Sequence, residues 1–191
     1  MIGFIDDFII VVQKNNRGLS PKMKFLMQSV LAVLFFYLYQ RIAPTTINVP
    51  VLKNAGTTIT CCMKNLAFGS ITNTARLHGP MWHDTCASVC AFPPLRDKVV
   101  LNIVDGMIGC FDGGPAANPQ FICHYNTILA GSDPVAVDRI SYDIVIAKRI
   151  EEGLQEEEKA GARTSMDMAQ EFQLGVADKD KIELIETTLQ V

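Results

Sequence analysis

A chain of 191 residues, about half of them apolar, has room for one ordinary domain and an appendage, and its net charge of −3 is unevenly spread. Residues 1–50 hold five Lys/Arg against two Asp, a net +3, so the remainder, with 12 Lys/Arg against 18 Asp/Glu, is −6. The basic residues are too few and too scattered among aromatics for a nucleic-acid footprint, and six cysteines without one C-x-x-C pair exclude a disulfide scaffold in favour of free thiols.

The first apolar run, MIGFIDDFIIVV, reads as the tail of a helix interrupted by the adjacent carboxylates Asp6 and Asp7. Two like charges in an apolar setting need either water or a cation. QKNNRGLSPK is a polar loop, and Ser20-Pro21 supplies a cap and a first helical turn. From Phe25 to Gln40 the chain carries no charge, and Phe35, Phe36, Tyr37 and Tyr39 gather near one end as an interfacial belt would. Such a helix is about 24 Å long against a hydrocarbon core of about 30 Å, which leaves a membrane helix and a buried core helix both open. Its membrane reading makes residues 25–40 the route to membrane association.

Beyond residue 45 the texture changes. INVPVL is strand-like with a break at Pro50, residues 57–66 read as a short helix, and HDTCASVC reads as another. KVVLNIVDG is β-branched and ends in Asp105-Gly106, which marks a buried strand followed by a Gly/Pro-rich loop to Pro119. NTILAG is a second strand. SDPVAVDRISYDIVIAKRIEEG is a punctuated helix, capped by Ser132 or Asp133, opened by Pro134 and closed by Gly153, with Val137, Ile140, Ile144 and Ala147 as its apolar stripe. The charged residues 151–163 read as a solvated helix or linker, and IELIETTLQV as a strand-like tail. Strands alternating with helices argue α/β. The predicted architecture is a partial mixed or parallel sheet with flanking helices behind an N-terminal hydrophobic helix, divided as 1–45 and 46–191.

Three groups of residues carry candidate chemistry. In open α/β sheets, ligands collect beyond the carboxyl ends of strands. That places Asp105, with Asp112 in the glycine-rich loop and Asp133 at the next helix, around a cleft for an anion or a metal. Lys64, Asn65 and His78 are the polar residues proposed to complete it, and Asp138 lies one turn further, facing either solvent or the same loop. Separately, Cys86 and Cys90 share a helix face at i, i+4, and with Cys61, Cys62 and either His78 or His83 offer soft-metal donors.

Two resemblances attach to these residues. GFIDDFIIVVQKNNRGLSPKMKFLMQ, and the chain onward to about residue 49, resembles a cytoplasmic loop and membrane helix of the phospho-N-acetylmuramoyl-pentapeptide transferases. That resemblance implies a bacterial origin, a membrane-associated or cytoplasmic location, and a role for Asp6 and Asp7 in Mg²⁺-dependent phosphoryl transfer to a polyprenyl phosphate. The family's remaining helices and loops do not follow, so the segment has a metal handle without substrate clamps. From about residue 47 onward, INVPVLKNAGTTITCCMKNLAFGSI, NIVDGMIGCFDGGPAANPQF and ILAGSDPVAVDRISYDIVIAKRI resemble the domain-of-unknown-function family 362, some of whose members carry iron–sulfur modules. A ferredoxin-type cysteine run is missing, so the spacing gives no support for a cluster. The α/β part resembles that domain without its N-terminal portion, and the chain reads as a fusion of two partial genes. Three functions remain open: an α/β domain binding an undefined small ligand or metal, an inactive transferase fragment, and a fusion without activity.

Overall fold

The computed structural model describes residues 21–42, 45–55, 58–72, 74, 82–114, 116–154 and 164–189. The chain divides into two compact units, Met1–Pro44 and Thr45–Val191. In the first, helix α1 (Pro21–Ile42) begins at the proline that the sequence marks as its first turn. Phe25, Leu26, Val30 and Val33 on it are exposed. Among the described residues no helix is long and apolar enough to cross a membrane. A membrane span over residues 25–40 is therefore not supported. Gln28 and Ser29 on one side and Tyr37, Tyr39 and Gln40 on the other leave an uninterrupted apolar stretch only over 30–36, well short of a span.

The second unit is mixed α/β. Its elements are β1 (Thr46–Asn48), β2 (Val51–Ala55), β3 (Thr58–Thr60), α2 (Cys62–Gly69), α3 (Trp82–Cys90), α4 (Pro93–Arg96), β4 (Val99–Cys110), β5 (Ile122–Cys123), β6 (Thr127–Gly131), α5 (Pro134–Glu151) and α6 (Thr164–Glu171). β4 is the spine. On one edge it pairs in parallel with β1 through Asn48 and Asn102, then with β2 through Val51 and Asp105. On the other edge it pairs antiparallel with β6 from Asn102–Gly131 to Gly106–Thr127, then with β5 at Cys110–Ile122. Proline cannot donate to a ladder, and Pro50 sits where β1 gives way to β2. The hairpin partner β3 completes the sheet beside β2. Between Val51–Asp105 and Lys53–Cys110 the register shifts, and the sheet curls there.

Side chains alternate across the sheet, so its two faces differ. Leu52 and Val104 are fully buried and join Val135, Val145, Met166 and Ala169 of the helices in one core. Asp105 and its cross-strand neighbour Ile128 point the other way, and Ile128 is 65% exposed.

Several expectations change at the level of elements. Residues 58–60 are a strand, and the helix begins only at Cys62. β4 runs through Asp105-Gly106 to Cys110, because pairing on both edges sustains a strand across a glycine that sequence alone reads as a stop. In α5 Val137 and Ile140 of the expected stripe are buried and Ile144 packs against the core, whereas Ala147 is exposed; Val135, Tyr142, Val145 and Arg149 widen the inward face and bring polar residues into it. Residues 182–189 form no strand. The apolar alternation there pairs with no strand among the described residues, and Ile185 and Leu189 stay exposed. Of the charged segment, residues 151–154 close α5 and 155–163 lie outside the described residues. Helix α6 had no counterpart among the expected elements.

Candidate metal centre

Helix α2 begins without a side-chain cap of its own. Cys61 occupies the cap position and offers no hydrogen bond to the first turn. The missing acceptor comes from α5. The N–H groups of Cys62 and Met63 donate to Asp138 Oδ1 and Oδ2 at 2.6 and 3.0 Å. A carboxylate at a helix N-terminus satisfies orphan donors and meets the positive end of the dipole. α5 can present Asp138 rigidly because its own start is fixed. Asp133 accepts from the Val135 and Ala136 N–H groups, and its second oxygen accepts from Val176.

One turn along α5 from Asp138, Ser141 accepts from the Cys61 thiol at 3.4 Å. The Cys61 and Cys62 sulfurs are 3.9 Å apart. The two sulfurs and one Asp138 oxygen all lie within 4.8 Å of one another, and all three residues are buried. Asp138 also lines a cavity of about 10 Å³ with Ile59, Met63, Lys64, Cys86, Ser165 and Met166. That is room for about one water-sized group.

The electrostatics follow from burial. Asp138 is 3% exposed, and desolvation lifts its carboxyl to about 6 although the Met63 N–H, the Cys61 thiol and the Cys62 N–H oppose the shift. Burial raises the Cys61 thiol, and the Cys61 contact followed by burial raises Cys62 strongly. Cys86 is pushed up to about 12 by burial, with Lys64 pulling the other way. Burial also raises Cys90, whose thiol donates to the Met63 carbonyl at 3.4 Å. Lys64 is 7% exposed and its amine is lowered by the same desolvation.

The residues expected around one cleft have different partners. Asp105 does not end its strand; it is exposed at mid-strand and accepts from the Met107 N–H two residues on, a local turn-like bond. Asp112 is ion-paired to the buried Arg149, which also donates to the Phe111 carbonyl. Asp133 is a helix cap. Asn65 donates to Asn48, which donates to Asn102 and to the Cys62 carbonyl, a chain of amides joining α2 to the sheet. The glycines do not leave ligand space either: a Cβ at Gly109 would strike Tyr125 and the Leu52 carbonyl, and one at Gly114 the Asn54 carbonyl. They permit close packing of the β4 end on β2. Asp6, Asp7 and His78 lie outside the described residues, and so does the Mg²⁺ expectation tied to the first two.

The soft-metal set fares differently. Cys61 and Cys62 converge, and Cys86 joins through the cavity wall, while Asp138 is a donor that sequence reading left between solvent and the loop. Its signal was the pairing of Asp138 with Ser141 on a helix face otherwise filled by Val135, Tyr142 and Val145. Two thiols and one carboxylate do not fit an iron–sulfur cluster of the usual four-thiolate kind.

A family model described as "Domain of unknown function (DUF362)" matches residues 36–143, more than half of the chain. Phospho-N-acetylmuramoyl-pentapeptide-transferases match over a short piece. The Staphylococcus saprophyticus protein is 65% identical over 40 residues, 21% of this chain. The Staphylococcus epidermidis protein is 66% identical over 38 residues, and the Staphylococcus aureus protein 63% identical over 38, each 20% of this chain. The chain spans about 12% of the length of these transferases. No solved structure matches.

Proposed function

The chain belongs to the family described as Domain of unknown function (DUF362), and from that premise we propose that its α/β unit binds a soft divalent metal ion through Cys61, Cys62 and Asp138. The observation that carries this reading is the sulfur separation. Two thiolates on a tetrahedral zinc at about 2.3 Å each lie about 3.8 Å apart, and here the sulfurs are 3.9 Å apart. The third donor is already held in place by the Cys62 and Met63 N–H groups, the kind of outer support that orients metal ligands. Borderline-soft ions such as zinc and cobalt suit a set of two thiolates and one carboxylate.

Reduced, chelator-stripped protein titrated with Co²⁺ tests it. Sulfur-to-cobalt charge-transfer bands saturating at a single ion per chain are expected, abolished in a Cys61→Ala, Cys62→Ala variant and kept in Cys90→Ala. Absence of the bands, or bands that survive loss of both cysteines, sinks the reading.

A second reading concerns the N-terminal piece. Its high identity to transferases over so short a length supports a borrowed segment, and we propose that it supplies no phospho-sugar transfer by itself. Phosphoryl transfer requires clamps on both substrates around the metal.

A further inference from the structure

The tail that follows α6 has the pattern of a strand and pairs with no strand among the described residues. Its root is fixed. The Val176 N–H donates to Asp133 at the start of α5 at 2.8 Å, and Lys179 pairs with Asp143 further along the same helix at 2.7 Å. From residue 183 to 189 every residue is exposed. In an extended chain Ile185, Thr187 and Leu189 fall on one face, and Glu186 and Thr188 on the other, the alternation of a half-covered strand. Ile185 and Leu189 are each 81% exposed.

The same unit carries a sheet edge of matching character. β6 pairs with β4 alone among the described residues, so its second edge has no strand beside it. Native sheets protect such edges with charge, proline, a bulge or extreme brevity. β6, TILAG, has no charged residue and no proline, and it runs in unbroken register along β4. Its Ile128 and Ala130 are exposed on the sheet face that also presents Val51 and Met107. Within one chain the tail and this edge do not cover each other, since Ile128 and Ile185 both stay exposed. They are neighbours by construction, however: α5 packs on β6 and holds both anchors of the tail root, Asp133 and Asp143. A two-fold exchange needs a donated segment and a receiving edge close together on each protomer, so that one axis serves both.

We infer that two copies of this chain associate by exchanging tails: residues 183–189 of each add to the other's sheet as a strand beside β6, with Ile185 and Leu189 laid along Ile128 and Ala130. Main-chain hydrogen bonds to the open edge supply affinity, and the alternate apolar side chains set register and face. One strand laid on a five-residue edge covers too little for the roughly 800 Å² that each partner contributes to a stable interface; giving and receiving a strand doubles the cover. The exchange closes on itself, so neither copy keeps an open β6 edge for a third.

Light scattering on the eluting full chain, over a concentration series, tests this. A mass of twice 21.0 kDa is expected, without growth to larger species. A chain ending at Lys181, the double variant Ile185→Lys, Leu189→Lys, and the edge variant Ile128→Lys are each expected to be monomeric, with association weakened at least about a hundredfold in the double variant, the scale for two apolar side chains. All three change exposed positions, so their far-UV circular dichroism should match wild type. Amides 127–131 should exchange slowly in the wild-type dimer and fast in the chain ending at Lys181. A wild type that is monomeric throughout overturns the inference. So does a dimer that survives both tail variants, which would place association on another surface such as the exposed side of α1. Growth beyond two copies overturns the closed exchange, and a dimer that survives Ile128→Lys overturns the choice of edge.

Discussion

Asp138 has two opposed tasks in the metal-free fold. Its oxygens satisfy the first N–H groups of α2, yet a fully desolvated carboxylate is costly. Asp138→Ala orphans both donors and is expected to lose about 2–4 kcal/mol in urea unfolding, with Asp138→Asn, which keeps one acceptor, losing less. The pH dependence has an unusual sign for an aspartate. Burial lifts the carboxyl from its ordinary 3.8 to about 6, so the folded chain holds that proton more tightly than the unfolded chain does. The charge therefore costs the fold about 3 kcal/mol above pH ~6, and the cost fades as pH falls toward ~4. In chelator-treated protein, wild type should gain on Asp138→Asn between pH ~7 and ~5; a flat difference refutes the assignment. Cys61 and Cys62 were visible as donors from residue type alone, since thiolates are soft-metal ligands. The sequence hid Asp138, since an acidic residue in a helix rich in charges looks like part of the wet face until its neighbours across the core are known.

Among the elements, α5 was the most legible, although the full width of its inward face was not. Its cap, first-turn proline and closing glycine are local chemistry, and the helix runs Pro134–Glu151 accordingly. Which side faces inward is a long-range matter, decided by Asp138 reaching α2 and Arg149 reaching the loop after β4. The Arg149–Asp112 pair explains why Asp112 looked functional from sequence: a carboxylate in a glycine-rich loop suggests a ligand, and here it holds that loop to the helix. Arg149→Met alone removes the ion-pair partner of Asp112 and is expected to cost about 3–5 kcal/mol, whereas the double change with Asp112→Leu should recover much of it. If the double variant is as unstable as the single, the pair is not the coupling. β4 was legible as a strand but not in extent, because its length depends on pairing with residues 46–55 and 122–131, and no local pattern announces that pairing or its register.

For the whole molecule, the transferase piece and the α/β unit predict different assays. Lipid-linked sugar formation from a uridine-diphosphate donor should not exceed background; turnover above it that vanishes in Asp7→Asn would show the transferase-like segment to be active. The sheet makes a second prediction. Every other strand but β3 depends on β4, so β4 amides should exchange with solvent only through global opening, and faster exchange in 102–105 than in α5 would contradict that role. The same spine imposes an order during synthesis. Residues 46–55 leave the ribosome long before 99–110, and until then β2 has only its hairpin with β3. At ~5–20 residues per second the wait lasts roughly 2–11 s, during which a ribbon carrying the core residues Leu52 and Ile59 stands unpaired on its inner edge. A nascent chain with such an interval is a natural client for a ribosome-side chaperone, and slow codons between 60 and 98 would lengthen its exposure.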